Sequence, residues 1–202
     1  MRVDLSRALE PLIRAQPAAT ADGKHSGHAL PDPAKLWATI ESDPRWMDWQ
    51  EGRLDASGWH AHLTGRVNVS VPFDEFCAAW NRALDPVTIL EERLFAELGA
   101  EYRLALLSNT DPLHSALLDE QYSFVRHFPV RIYSNRVGSS KPAEAIYRRA
   151  LSELGVDAAE ALFIDDIPQY AEAAGRIGMD AIRFENPAQL MGELRARGIL
   201  RD

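Results

Sequence analysis

Two adjacent carboxylates, Asp165 and Asp166, end an apolar run, Ala161-Leu162-Phe163-Ile164. Like charges side by side at the tip of a buried strand repel each other, so the pair calls for a cation. Magnesium suits such a place, because it takes one or two protein carboxylates and completes its shell with water and phosphate oxygens. Two other stretches carry matching chemistry. "LALLSNTD" delivers Ser108, Asn109 and Thr110 at the end of a second apolar run, and "GSSKP" delivers Lys141 just before a helical pattern. A hydroxyl and the free N–H groups of a helix start cradle phosphate oxygens. A lysine adds a compact positive charge. Taken singly, "SNT" is a turn, "GSSKP" a loop and "DD" a helix cap. In this order, each at a strand end, they fit a phosphate ester held beside a hard divalent cation.

The elements that must position these residues follow from periodicity. From "TILEERLFAELGAE", a helix ending at Gly99, the chain alternates strand and helix. "YRLALLS", "FPVRIYS", "ALFID" and "DAIRF" read as strands. "DPLHSALLDEQ", "KPAEAIYRRALSELG", "PQYAEAAGRIG" and "PAQLMGELRARG" read as helices, with Asp111 an N-cap, Pro112 at the first turn and Gly155 a stop. Four alternations with continuous apolar strands predict an α/β protein, a doubly wound, Rossmann-like parallel sheet with helices on both faces. Such sheets bind ligands beyond the carboxyl ends of their strands, which is where the polar residues fall.

Before this core the texture is helical. Residues 5–15 show one apolar face, residues 16–34 are rich in Pro, Gly and small polar residues, and "GRLDASGWHAHL" and "FDEFCAAWNRALDP" are amphipathic. Trp37, Trp46, Trp49, Trp59 and Trp80 predict a small aromatic core. "VNVSV", residues 67–71, alternates like a short strand. The expected division is 1–15 as a linker and start of a cap, 16–86 as a helical cap, and 87–202 as the α/β core. His25 and His28 lie in a loop without further ligands, and His60 and His62 read as surface residues. Cys77 is the one cysteine and reads as packing.

The totals exclude several classes. A net charge of −8 over 202 residues offers no basic excess to displace counterions, against nucleic-acid or anionic-membrane binding. One cysteine forms no intrachain disulfide, and no apolar run is long enough to span a bilayer. The expected location is cytoplasmic and the expected partner a small phosphorylated substrate.

The order "LALLSNTD", "GSSKPAEAIYRRALSELG", "ALFIDDIPQYAEAAGRIGMDAIRF" resembles motifs II, III and IV of the haloacid dehalogenase-like (HAD) hydrolase superfamily. The preceding helices resemble its inserted helical cap, in the phosphatase-like subgroup that includes the soluble epoxide hydrolase N-terminal domain. The resemblance implies a magnesium-dependent phosphatase that works through an aspartyl-phosphate. It implies that Ser108 bonds the transferring phosphoryl group and that Asn109 contacts it or orients the loop. Lys141 would neutralise phosphate charge, Asp166 bind Mg2+ directly, and Asp165 do so directly or through water. A 2-haloacid dehalogenase is the rival within the superfamily, disfavoured by the paired acids. A non-catalytic binding or regulatory module is the rival outside it.

The same resemblance exposes a gap. The nucleophilic aspartate of motif I should end the first, central core strand, and no apolar-Asp-x-Asp stretch is present. Asp4 in "MRVDLSRAL" has three residues before it, too few for a strand, and Ser6 stands where an acid or Gly is wanted. The expectation is that the nucleophile lies upstream of this sequence and that the chain as it stands is inactive. Without that strand two inner strands expose their ladder edges. "RVNVSV" is the one internal segment that could fill the place.

Overall fold

The computed structural model describes residues 5–14 and 33–201. Asp4, His25 and His28 lie outside the described residues. The first half is helical: α1 (Leu5–Arg14), α2 (Pro33–Glu41), α3 (Arg45–Gln50), α4 (Ala56–Val67) and α5 (Phe73–Asn81). One apolar core joins them. Leu9 and Leu12 of α1 are buried with Trp49, Trp59, Phe76 and Trp80. Trp49 and Trp59 stack with centroids 5.9 Å apart, and Phe76 stacks on Trp80 at 5.5 Å. Aromatic rings of this size supply much apolar area from few residues, which is how a short helical segment gains a core.

Local chemistry sets the helix ends. Asp55 accepts a 2.7 Å hydrogen bond from the Gly58 N–H, capping α4, and Asn68 ends it in the left-handed region at φ 52°. That turn overrides the alternation of "VNVSV": Val69 makes one isolated bridge and the segment forms no strand of the main fold. Two histidines expected on the surface are instead half-buried brackets. His60 Nε2 bonds the Val71 carbonyl at 2.7 Å, and His62 Nε2 bonds buried Asp43 at 2.9 Å. Cys77 packs against the aromatic core, and burial pushes its thiol pKa up.

The second half alternates as expected: α6 (Glu92–Glu101), β1 (Ala105–Ser108), α7 (Pro112–Gln121), β2 (Val130–Tyr133), the single turn α8 (Ser134–Val137), α9 (Glu144–Leu154), β3 (Leu162–Asp165), α10 (Pro168–Arg176), β4 (Asp180–Arg183) and α11 (Pro187–Ala196). Strands are shorter than their apolar runs. α6 passes through Gly99 to Glu101, and its last turn closes through the Tyr102 N–H on the Leu98 carbonyl rather than on a left-handed glycine. α9 does stop at Gly155, φ 64°. Asp111 caps α7 and Asn186 caps α11, each followed by proline.

β1 pairs in parallel with β2, and β3 in parallel with β4. Among the described residues no ladder joins the two pairs, so the sheet is two separate ribbons. Helices still cover both faces. Leu107 and Phe163 face a cluster with Ile146, Tyr147 and Ala174, whereas Leu106 faces Leu118 and Leu162 faces Leu190. Between β1 and β3 lies a cleft of about 840 Å³. The cleft is partly open, so solvent reaches its walls.

The two halves meet at a polar seam. The Trp80 Nε1–H donates to Asp111 at 2.9 Å, His114 Nδ1 lies 2.9 Å from the same carboxylate, and His114 Nε2 bonds the Trp80 carbonyl at 2.8 Å. Ser134 Oγ bonds the Gln50 carbonyl at 2.7 Å. Gly52, at φ 70°, lies so close that a Cβ would fall 2.0 Å from the Asn135 carbonyl oxygen, so only glycine fits.

Asp111 and His114 are both buried. Burial raises the Asp111 pKa, but the His114 charge and three hydrogen bonds outweigh it and leave the pKa below its ordinary 3.8. Burial lowers the His114 pKa, and Asp111 outweighs that and leaves it above 6.5. The His114 contribution is thus full below 6.5 and lost as pH rises through its folded value; the Asp111 contribution is full above 3.8 and lost as pH falls through its folded value. Replacing His114→Leu should cost about 3–5 kcal/mol near pH ~6, where it strands the Asp111 charge, and less near pH ~9. Urea unfolding midpoints at the two pH values check this; a pH-independent loss would refute the ion pair.

Candidate functional site

The carboxyl ends of β1 and β3 point to the same rim, and the polar residues singled out in the sequence gather there. Lys141 is the hub. Its Nζ donates to Asp165 Oδ2 at 2.6 Å and to the Leu107 carbonyl at 3.2 Å, and it lies 5.0 Å from the centre of the Tyr170 ring. Both charged side chains of the pair are 8% exposed. A buried ammonium needs such partners, because burial of an unpaired charge is costly.

Asn109 holds the lysine's backbone. Its Oδ1 accepts from the Lys141 N–H at 2.7 Å and its Nδ2 donates to the Lys141 carbonyl at 2.9 Å. This two-point clamp ties the loop after β1 to the loop before α9. The same Nδ2 reaches the Tyr170 hydroxyl at 3.2 Å. These bonds fix the loop that carries Lys141. Ser108 ends β1, and its hydroxyl makes only a long 3.4 Å bond to the neighbouring Asn109 carbonyl. It remains largely free to bond a ligand.

The two aspartates differ. Asp165 is engaged on both oxygens, with Lys141 on Oδ2 and the Ile167 N–H on Oδ1 at 2.9 Å. Asp166 is exposed, and its carboxylate receives no hydrogen bond from a described residue. The donor set therefore fits a cation that takes one open carboxylate, Asp166, and fills its remaining positions with water and phosphate oxygens. No group of three or more His, Cys, Asp or Glu suited to a metal forms among the described residues. Among the described residues the rim therefore forms no closed protein cage for a metal.

Two tyrosines register the charge of the rim. Burial, then the Asp165 charge, pushes the Tyr147 pKa up to about 12. Burial raises that of Tyr170; the Asn109 hydrogen bond opposes the shift, and the Asp165 and Asp166 charges add to it. Tyr147 donates to the Tyr170 carbonyl at 2.9 Å, so both rings brace the start of α10. Sequence reading passed over Tyr170, which lies four residues past Asp166, in the first turn of α10. It also passed over Ser134, which accepts from the Thr110 N–H at 2.8 Å and fixes the loop after Ser108. A single serine after "RIY" carries no signal of that contact.

Comparison with known proteins agrees in family and fold. The model of the haloacid dehalogenase-like hydrolases, a hydrolase family, matches residues 9–178. D-ribitol-5-phosphate phosphatase of Bacteroides thetaiotaomicron is 25% identical over 154 residues, 73% of this chain and 75% of that protein. Chloroplast flavin mononucleotide hydrolase 1 of Arabidopsis thaliana is 28% identical over 156 residues, 76% of this chain and 62% of that protein. The match thus spans less than two thirds of the plant enzyme. Among solved structures, a HAD family enzyme of B. thetaiotaomicron in complex with magnesium and inorganic phosphate superposes with a TM-score of 0.71 at 19% identity, covering 94% of this chain and 92% of that one.

Because Lys141 and Asp165 are both buried, removing one partner strands the other. Lys141→Met alone should cost about 3–5 kcal/mol, and adding Asp165→Leu should recover a good part of it. A double-mutant cycle by urea unfolding measures the coupling; additive losses would mean the pair is not a buried ion pair.

Proposed function

From the premise that the chain belongs to the haloacid dehalogenase-like hydrolase family, we propose that its rim is the phosphate and metal end of a magnesium-dependent phosphatase site for a small phosphorylated metabolite. One observation carries the reading: the Lys141 ammonium, 2.6 Å from Asp165, lies at the same rim as a nearly free Ser108 hydroxyl and an open Asp166 carboxylate. Ser108 would donate to a phosphoryl oxygen. Lys141 would hold its charge against both the phosphoryl group and Asp165. Asp166 would bind Mg2+, with Asp165 reaching it through water. The cation would supply Lewis-acid neutralisation of phosphate charge. Asn109 would keep Lys141 in place.

The relatives support a phosphate monoester as the substrate class. The names of two of them specify phosphorylated small molecules, a sugar-alcohol phosphate and a flavin mononucleotide. The paired acids favour this over dehalogenation, which has no use for a cation. The nucleophile is the open part. Among the described rim residues the one uncommitted carboxylate is Asp166, and metal binding claims it. The reading therefore assigns ligand binding to this chain and expects no turnover from residues 1–202 alone. A non-catalytic binding module is the second reading that this same feature favours.

Titration calorimetry with inorganic phosphate tests the proposal. Binding should require magnesium and should weaken about tenfold or more, ~1.4 kcal/mol, in Asp166→Asn and in Ser108→Ala. Both side chains make few contacts within the protein, so neither change should unfold it. Equal binding with chelator present would overturn the metal assignment. Magnesium-dependent hydrolysis of para-nitrophenyl phosphate by residues 1–202 would show that a nucleophile lies within them.

A further inference from the structure

The loop that delivers Ser108 is anchored at the three residues that follow it. Asn109 is clamped to the Lys141 backbone. The Thr110 N–H donates to Ser134 Oγ at 2.8 Å, and that hydroxyl lies 2.7 Å from the Gln50 carbonyl in the helical half. Asp111 Oδ2 takes the Trp80 indole N–H and faces His114 Nδ1, each at 2.9 Å. Its other oxygen caps α7 through the His114 N–H at 3.0 Å. Two of the three anchors therefore reach the helical half, at Gln50 and at Trp80.

The protonation state of His114 follows from its bonds. Nδ1 faces the Asp111 carboxylate, and Nε2 faces the Trp80 carbonyl at 2.8 Å. Both partners are acceptors. A neutral imidazole carries one N–H, so it satisfies one of them and turns a lone pair on the other; the imidazolium satisfies both. The residue is 6% exposed, so a bond lost here is not made good by bulk water. Loss of the proton therefore breaks one of the two contacts and leaves the buried Asp111 charge without its counterion. Asp111 is the charge that acts on the imidazole. Two helices pack on α7. From α5 comes Trp80, while Asp74 and Glu75 lie in that helix's first turn and Arg82, just past its end, is exposed. From α8 comes Arg136, held by Asp119 at 2.7 Å. On α7 itself Asp119 and Glu120 lie beyond the next turn.

We propose that Asp111 and His114 are positioning residues for the phosphate grip, and that phosphate binding at the rim is linked to the proton on His114. The inference rests on the phosphatase reading of the rim. With the imidazole protonated, Asp111 is pinned to Trp80, and the loop holds the Ser108 hydroxyl in place. With the imidazole neutral, the start of α7 loosens from α5, and Ser108, three residues before Asp111, loses definition. Neither residue needs to touch the ligand. Coupling is reciprocal, so a phosphate held by Ser108 favours the ordered loop and keeps the proton on His114. The sign is fixed. The folded pKa of His114 lies above its ordinary 6.5, so the contribution is full below 6.5 and is lost as pH rises through the folded value. The ligand's own ionisation acts the other way, because phosphate gains negative charge as pH rises.

Proton NMR of the wild-type chain is the first test. The His114 C2–H resonance is identified by its cross-relaxation with the Trp80 ring, 6.0 Å away centre to centre. It is titrated between about pH 5 and 9 with magnesium present, with and without saturating inorganic phosphate. Phosphate should move the His114 midpoint up and leave that of His127, which pairs with Glu92 outside the seam, where it was. Calorimetry of His114→Gln gives the second readout. Its phosphate dissociation constant divided by that of the wild type cancels the ligand's own ionisation. The ratio should be about fivefold or more near pH ~6 and approach one near pH ~9. The wild-type titration decides the matter even if that variant fails to fold. A His114 midpoint that bound phosphate leaves unmoved would overturn the inference and make the pair a structural contact alone. A ratio equal at the two pH values would overturn it as well. No phosphate binding by the wild-type chain at any of these pH values would overturn the reading of the rim, and this inference with it.

Discussion

The structure depends on one ammonium group. Lys141 Nζ holds the Leu107 carbonyl of one ribbon and the Asp165 carboxylate of the other, where no backbone ladder crosses among the described residues. A hydrogen bond to a charged group is worth roughly twice a neutral one, but two such bonds do not replace a row of ladder bonds along a strand. The ribbons are kept in register by this contact at the carboxyl end and by helices packed over both faces. Lys141 can do this because its backbone is fixed by both ends of the Asn109 amide. A lysine on a mobile loop would lose side-chain entropy comparable to what the pair gains.

The same economy governs the seam between the halves. Asp111 caps α7 with one oxygen and takes the Trp80 indole N–H on the other, while His114 returns a bond to the Trp80 carbonyl. A residue needed anyway to start a helix thus also fixes a helix of the other half. The loop that leaves Ser108 passes directly into this arrangement through Thr110, whose N–H is held by Ser134, itself bonded to Gln50. Ser108 is positioned from both directions: by the sheet behind it and by the helical half in front.

Much of this was legible in the residues. Ser108, Asn109, Lys141, Asp165 and Asp166 were each placed at a strand end or helix start by periodicity alone, and they converge because parallel strands bring their carboxyl ends together. Asp111 was legible as a cap, since Asp-Pro before an apolar pattern has a local mechanism. What periodicity could not show was partnership across the chain. His60 and His62 read as surface because their helical positions are polar; contacts 11 and 19 residues away bury them. Nothing local marks Asp165 as engaged and Asp166 as open, because both follow the same apolar run. "VNVSV" failed as a strand because the left-handed turn at Asn68 outweighs three alternating valines.

The rim and the cleft are one structure. Ser108, Asp165 and Asp166 end the two strands whose free edges face the gap, so their positions are only as well defined as the spacing of those strands. A site that grips phosphate needs its donors within a fraction of an ångström of place, and rigid supporting elements supply that precision. Two ribbons stitched at one end, with open edges below the stitch, supply less of it than a continuous sheet. Whatever orders β1 against β3 also orders Ser108 against Asp166. By linkage, a ligand that bridges those two at the rim favours the spacing of β1 and β3 that binds it best.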